Sequence, residues 1–142
     1  MPRSARDIMT ADPVWIDASE TIDVAARQLA DEHVGAIPIC ENGKLRGMLT
    51  DRDIVVKVIA EGKDPHSVTA GELAQGEAIT IGADDTVDEV VRVMRKHDVR
   101  RLPVIDGREL VGIVAQADVA TELGATMAGE LLVDISSAPA NA

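Results

Sequence analysis

The chain has 142 residues and carries 14 Lys and Arg against 25 Asp and Glu, a formal net charge of −11, with one Trp and neither Phe nor Tyr. Such a polyanion is repelled by phosphate backbones and lacks the aromatic platforms on which single-stranded bases stack, which excludes general nucleic-acid binding. A lone cysteine, Cys40, and no run near the roughly 18 apolar residues that span a bilayer lead us to expect a cytoplasmic protein with an aliphatic core, no disulfide and no membrane segment.

The opening residues MPRSARDIMTADP have no apolar stretch of the signal-peptide kind. A short strand is expected over Val14 to Ile16, and the polar run Asp17 to Thr21 then supplies oxygen-bearing side chains that cap a helix. That helix places Ile22, Ala25, Ala26 and Leu29 on one apolar face, at i, i+3, i+4 and i+7. Two β-rich runs, Ala36 to Cys40 and Leu45 to Thr50, flank Glu41-Asn42-Gly43-Lys44, a hairpin turn by composition. A second helix starts near Asp51, with Ile54, Val55 and Val58 on its apolar face, and Gly62 and Pro65 mark residues 62–69 as a linker.

Beyond the linker the same order returns. At an offset of 65, residues 5–54 lie over 70–119 without a gap, and 11 positions are identical, among them Thr21/Thr86, Pro38/Pro103, Gly47/Gly112 and Asp53/Asp118. The second strand is expected at Ile79 to Ile81, and its helix face is Val87, Val90, Val91 and Met94. A hairpin follows around Asp106-Gly107, and a last helix from Gln116 carries Val119, Ala120 and Leu123. Each unit is therefore β-α-β-β-α, of the α/β (α+β) class. Unit one covers 5–61, the linker 62–69, unit two 70–128 and a frayed C-terminal tail 129–142. A unit of about 50 residues buries too little surface to stand alone, so a pseudo-twofold pair sharing one core is expected.

In unit one, Ile37-Pro38-Ile39-Cys40, a turn and Leu45-Arg46-Gly47-Met48-Leu49-Thr50-Asp51-Arg52-Asp53 form a distinctive pattern. Apolar-Pro-apolar-apolar, turn, Leu-x-Gly-apolar-apolar-Thr-x-x-Asp, in a doubled unit, resembles the cystathionine-β-synthase (CBS) domain, which occurs in tandem as a Bateman module. The resemblance covers roughly residues 5 to 125, and MLTDRDIV and VRRLPVI resemble the small stand-alone two-unit members. It implies a regulatory sensor rather than an enzyme, binding an adenosine-containing ligand of the AMP, ATP, NAD or S-adenosylmethionine class in clefts between paired units. No cofactor is required on this reading. A homodimer through the second-helix residues Ile54, Val55, Val58, Ile59, Val119 and Leu123 is expected, together with an effector protein that the sequence does not name.

Within that resemblance Thr50 and Asp53 stand at a helix mouth, where the carboxylate can accept both ribose hydroxyls while the threonine hydroxyl and first-turn N–H groups receive phosphate oxygens. The same Thr-x-x-Asp is also a capping box that starts a helix with no ligand at all, and the two roles can coexist. Unit two keeps Asp118 but has Ala115 in place of the threonine, so its cleft is expected to bind more weakly or not at all. The resemblance implies that Arg100 and Arg101 reach, through their planar forks of donors, the phosphate of a ligand lying in the other unit's cleft; Arg52 is either a third contact or a helix-surface arginine paired with Asp51 or Glu61. Ile37 and Pro38, with Leu102 and Pro103, are suited by position to an apolar slot for the base, although each reads first as plain core, and Trp15 either stacks on a base or packs on a helix. The competing reading is a ligand-free interaction module of the same fold.

His33, His66 and His97 are not at metal-ligand spacing, so no metal site is expected. Cys40 falls in a strand expected to be buried, where a thiol is inert, and no nucleophile-base arrangement or glycine-rich phosphate loop is present to suggest catalysis.

Overall fold

The computed structural model describes residues 3–74 and 78–124; the tail expected over 129–142 lies outside the described residues. In chain order the elements are α1 (Ala5–Ile8), β1 (Thr10–Ala11), β2 (Ile16–Asp17), α2 (Ile22–Glu32), β3 (Ala36–Glu41), β4 (Lys44–Thr50) and α3 (Asp51–Ile54). A π-helical stretch, Val55–Ile59, continues α3, and then come α4 (Ala70–Leu73), β5 (Ile81–Gly82), α5 (Val87–His97), β6 (Arg101–Asp106), β7 (Glu109–Ala115) and α6 (Gln116–Leu123).

Two compact bodies result. One is Val14–Ala78; the other joins the segment before Val14 to the chain from Ile79 onward, as far as it is described. In the first, β2 runs parallel to β3 with Ile16 opposite Ile39, and β3 runs antiparallel to β4 with Ala36 opposite Thr50. The second repeats this with Ile81 opposite Val104 and Arg101 opposite Ala115. There β1 adds a further antiparallel strand to β7, Thr10 facing Ile113. The turn between β3 and β4 is Asn42-Gly43, both at positive φ (54° and 78°), which these two residue types tolerate and a tight hairpin requires.

The helices follow their apolar periods. α2 buries Ile22, Ala25 and Leu29, and α5 buries Val87, Val90, Val91, Val93 and Met94; Ala26, expected on the buried face of α2, is exposed. Each body has a buried cluster of its own, where the short unit length predicted a shared one. Of the second-helix residues expected at a dimer face, Val55 and Ile59 are 58% and 57% exposed, whereas Ile54 and Val58, four residues apart, are buried and fill the inward row. From Val55 the helix continues as a π turn, with the Ala60 N–H on the Val55 carbonyl at 2.8 Å. Val55 is left on the flank.

The short helices α1 and α4 explain why the compact bodies and the sequence repeats have different limits. Ala5 N–H donates to the Asp85 carbonyl at 2.8 Å, Arg6 N–H to that of Ala83 at 2.9 Å, and Val87 N–H to that of Arg3 at 3.0 Å. Shifted by 65 residues, the same three bonds join Ala70 to Glu20, Gly71 to Ala18 and Ile22 to Val68, at 2.8, 2.8 and 2.9 Å. The opening segment of each repeat thus belongs to the body built around the other. Behind α4 the Ala74 Cα lies 3.6 Å from where a Cβ on Gly47 would stand, and Met9 and Thr10 cross Gly112 more closely still. The glycine of each Leu-x-Gly is there because a chain passes over it.

Candidate functional site

The mouth of the first body forms where β4 ends and α3 begins. Thr50 has an extended backbone (φ −110°, ψ 157°), and the Asp51 N–H is tied to the Gly35 carbonyl at 2.9 Å, which holds the helix start against the entry of β3. The Thr50 Oγ1 accepts the Asp53 N–H at 3.0 Å, and Asp53 Oδ2 accepts the Thr50 N–H at 3.0 Å. This is the reciprocal capping box. The other carboxylate oxygen, Asp53 Oδ1, lies 3.2 Å from Lys57 Nζ, with side chains 21% and 35% exposed. A carboxylate oxygen has two lone-pair sites, so each oxygen of Asp53 keeps capacity for one hydroxyl donor.

The parallel register of β2 on β3 brings Val14 and Trp15 to this same end of the strands, where they stand 42% and 48% exposed. The Trp15 carbonyl accepts a hydrogen bond from Gln28 Nε2 at 3.0 Å, which pins the approach to β2 onto α2. Trp15 therefore does not spend its ring on the buried cluster. Ile37 does: it is 1% exposed, opposite Leu49, and Pro38 is buried opposite Met48, so neither offers free surface at this mouth.

In the second body Asp118 Oδ2 accepts the Ala115 N–H at 2.8 Å, but alanine has no oxygen to return the bond, and half of the box is missing. The Gln116 N–H donates to the Arg100 carbonyl at 2.8 Å and Arg101 faces Ala115, so both arginines belong to the body of Asp118. Arg100, Arg101 and Arg52 are exposed, and among the described residues none of the three side chains has a hydrogen-bond or ion-pair partner. Within the first body Thr50, Arg52 and Asp53 lie together at the start of α3, and within the second Arg100 and Arg101 lie at the strand end that meets the start of α6. Lys57 escaped the sequence reading, although its place four residues after Asp53 on a helix is the signal that finds it.

Adjoining the start of α3, an open groove of about 510 Å³ runs between α2 and α3, lined by Leu29, His33, Gly35, Asp51, Ile54 and Val55 among others. Val56 and Ile59 beside it are 44% and 57% exposed. Cys40 is buried, and burial, with a smaller contribution from Asp17, pushes its thiol pKa up. No helix among the described residues is long and apolar enough to cross a membrane.

The family model of the CBS domain matches residues 5–60 and again 70–125. The chain belongs to the CBS-domain family, as a tandem pair. Hypoxic response protein 1 of Mycobacterium tuberculosis is 46% identical over 121 residues, spanning 84% of this chain and 85% of its own. The fold is similar to a crystal structure of Hypoxic Response Protein I (HRPI) with two coordinated zinc ions, with TM-score 0.79, 46% identity and coverage of 86% of this chain and 100% of that one. The CBS domain-containing protein YhcV of Bacillus subtilis is 37% identical over 134 residues, 94% of this chain and 95% of its own. A further similar structure is the CBS domain pair of protein MJ0100 in complex with 5′-methylthioadenosine and S-adenosyl-L-methionine (TM-score 0.72, 31% identity, 87% of this chain and 98% of that one). Among this chain's described residues there is no group of three or more His, Cys, Asp and Glu side chains that could hold a metal ion.

Proposed function

We propose that this tandem CBS protein is a non-enzymatic regulatory module that binds an adenosine-containing ligand at the Thr50–Asp53 mouth. The observation that carries the reading is Asp53 itself: a half-buried carboxylate, fixed by the cap, with acceptor capacity left on both oxygens and exposed Val14 and Trp15 at the same strand end. A ribose diol supplies two donors for those oxygens, and a base supplies an apolar face for the exposed side chains. The 5′-methylthioadenosine and S-adenosyl-L-methionine of the MJ0100 pair support the adenosine class, within which AMP, ATP and NAD also fall. The Asp118 mouth, with half a box, is the weaker site of the two. We further propose a homodimer seated on the α2–α3 groove and the exposed Val55, Val56 and Ile59, through which occupancy of the mouth is passed to an effector protein.

The test is isothermal titration of the full chain with AMP, ATP, NADH and S-adenosylmethionine, repeated on Asp53→Ala and Asp118→Ala. Both substitutions remove a cap bond from a backbone N–H to the carboxylate, and Asp53→Ala removes in addition the ion pair with Lys57. Binding lost in Asp53→Ala and retained in Asp118→Ala supports the reading. Silence from all four ligands moves the protein to the ligand-free interaction module, with Thr50 and Asp53 serving as a helix cap alone.

A further inference from the structure

We infer that Lys57 makes the first mouth selective for adenosine ligands that carry a phosphate over uncharged ones, an inference that rests on the ligand reading of Asp53. Its ammonium lies 3.2 Å from Asp53 Oδ1, the oxygen that the cap leaves open. An incoming ribose therefore meets a carboxylate whose charge is already matched. Around the start of α3 the acids Asp51 and Asp53 are balanced by Arg52 and Lys57, in a chain whose net charge is −11. A phosphate can then approach the helix start without net local repulsion. Without Lys57 the same mouth carries an excess negative charge, and Coulomb repulsion, falling only as the inverse of distance, is felt along the length of a nucleotide and not at contact alone.

The architecture of the repeat does not ask for this lysine. Sixty-five residues on, the position is Glu122, which pairs with Arg3 at 3.3 Å, and Asp118 still makes its cap bond to Ala115. A cation is therefore dispensable for starting the helix. It is found at the mouth that also keeps the hydroxyl, Thr50, and is absent at the one that has lost it. Lys57 is a specificity-determining residue on this account: Asp53 grips the ribose, and the ammonium decides what charge the rest of the ligand can bear.

The experiment compares AMP with adenosine by isothermal titration on the wild-type chain, Lys57→Met and Lys57→Arg. Wild type is expected to prefer AMP. Lys57→Met should weaken AMP about tenfold, the scale of one charge-assisted interaction, while adenosine changes by no more than about twofold. Lys57→Arg should restore the preference. Raising the salt should erode the wild-type preference and move that of Lys57→Met toward AMP, because screening weakens the ammonium's attraction in the one and the uncompensated carboxylates' repulsion in the other. Parallel losses for both ligands, or unaltered AMP binding in Lys57→Met alongside a loss in Asp53→Ala, would overturn the role of Lys57 while leaving the mouth intact. If neither ligand binds wild type, both readings fall together.

Discussion

The Met9 side chain lies on the backbone of Gly112, in the volume that a Cβ there would take. That Cβ would also stand 2.9 Å from the Thr10 carbonyl oxygen, so backbone as well as side chain would have to move. The matching contact at Gly47 is looser, with the Ala74 Cβ at 3.3 Å. Gly112→Ala should destabilise by about 1–3 kcal/mol, the usual cost of overpacking, and Gly47→Ala by clearly less. Urea unfolding of the two variants checks this; equal costs would mean that the crossing segment yields freely.

The two helix caps differ by a hydroxyl and a methyl group on nearly the same backbone, Thr50 at φ −110°, ψ 157° and Ala115 at φ −106°, ψ 160°. Thr50→Ala should lose about 1 kcal/mol, and Ala115→Thr should gain a similar amount by accepting the Asp118 N–H. Thermal melts measure both. Titration of AMP into Ala115→Thr then asks whether the completed box adds a second site, and no gain there would count against the hydroxyl as the missing part.

Cys40 should be a slow thiol. Burial first, and Asp17 second, raise its pKa, which depletes the thiolate that alkylating reagents need. In native protein near pH 8, labelling by iodoacetamide should be negligible, and it should complete in denaturant. Rapid native labelling would show that the strand carrying Cys40 opens readily.

Acid should unfold the protein through a known set of carboxylates. Asp7 is held low by the Ser4 N–H, Asp17 by the Ser19 hydroxyl, Asp23 by the Thr21 hydroxyl, Asp64 by the His66 N–H and Glu89 by the Arg92 guanidinium. A carboxyl whose folded pKa is depressed contributes stability that is complete above its unfolded value, about 4, and is lost as pH falls through the folded value. The melting temperature should be level between about pH 5 and 7 with respect to these groups and drop below about pH 4. Double replacement by Asp17→Asn and Asp64→Asn should flatten the drop; an unchanged slope would place the acid sensitivity elsewhere.

The exposed apolar row Val55, Val56 and Ile59 should govern association. Val55→Asp with Ile59→Asp puts two charges on the surface that the proposed homodimer buries, and light scattering should then read the mass of one chain where the wild type reads two. A wild-type mass of a single chain would end the dimer proposal.

Much of the molecule is legible in the order of its residues. The helix faces of α2 and α5 show a 3.6-residue period, and the hairpin announces itself through Asn42-Gly43. Thr50-x-x-Asp53 marks a helix start. α1 and α4 stay hidden because four residues are too few to display a period. The π turn over Val55–Ile59 stays hidden because it has no composition of its own. At the site, the cap pair was readable from spacing. The burial of Ile37 and Pro38 agrees with their reading as core, while the exposure of Trp15 was not readable, since an apolar residue at a strand end is placed only by its neighbouring elements.

By itself, then, the sequence determined the β-α-β-β-α unit, its duplication and the loss of one cap hydroxyl at Ala115, because periodicity, turn chemistry and capping act over a few neighbouring residues. Only the tertiary structure decided that each repeat's opening segment is folded into the other repeat's body and that Gly47 and Gly112 are crossing points. It also brought the backbone of Arg100 and Arg101 against the start of the helix that carries Asp118. Most of those relationships join residues tens of positions apart, and contacts of that kind follow from how surfaces pack rather than from any local pattern.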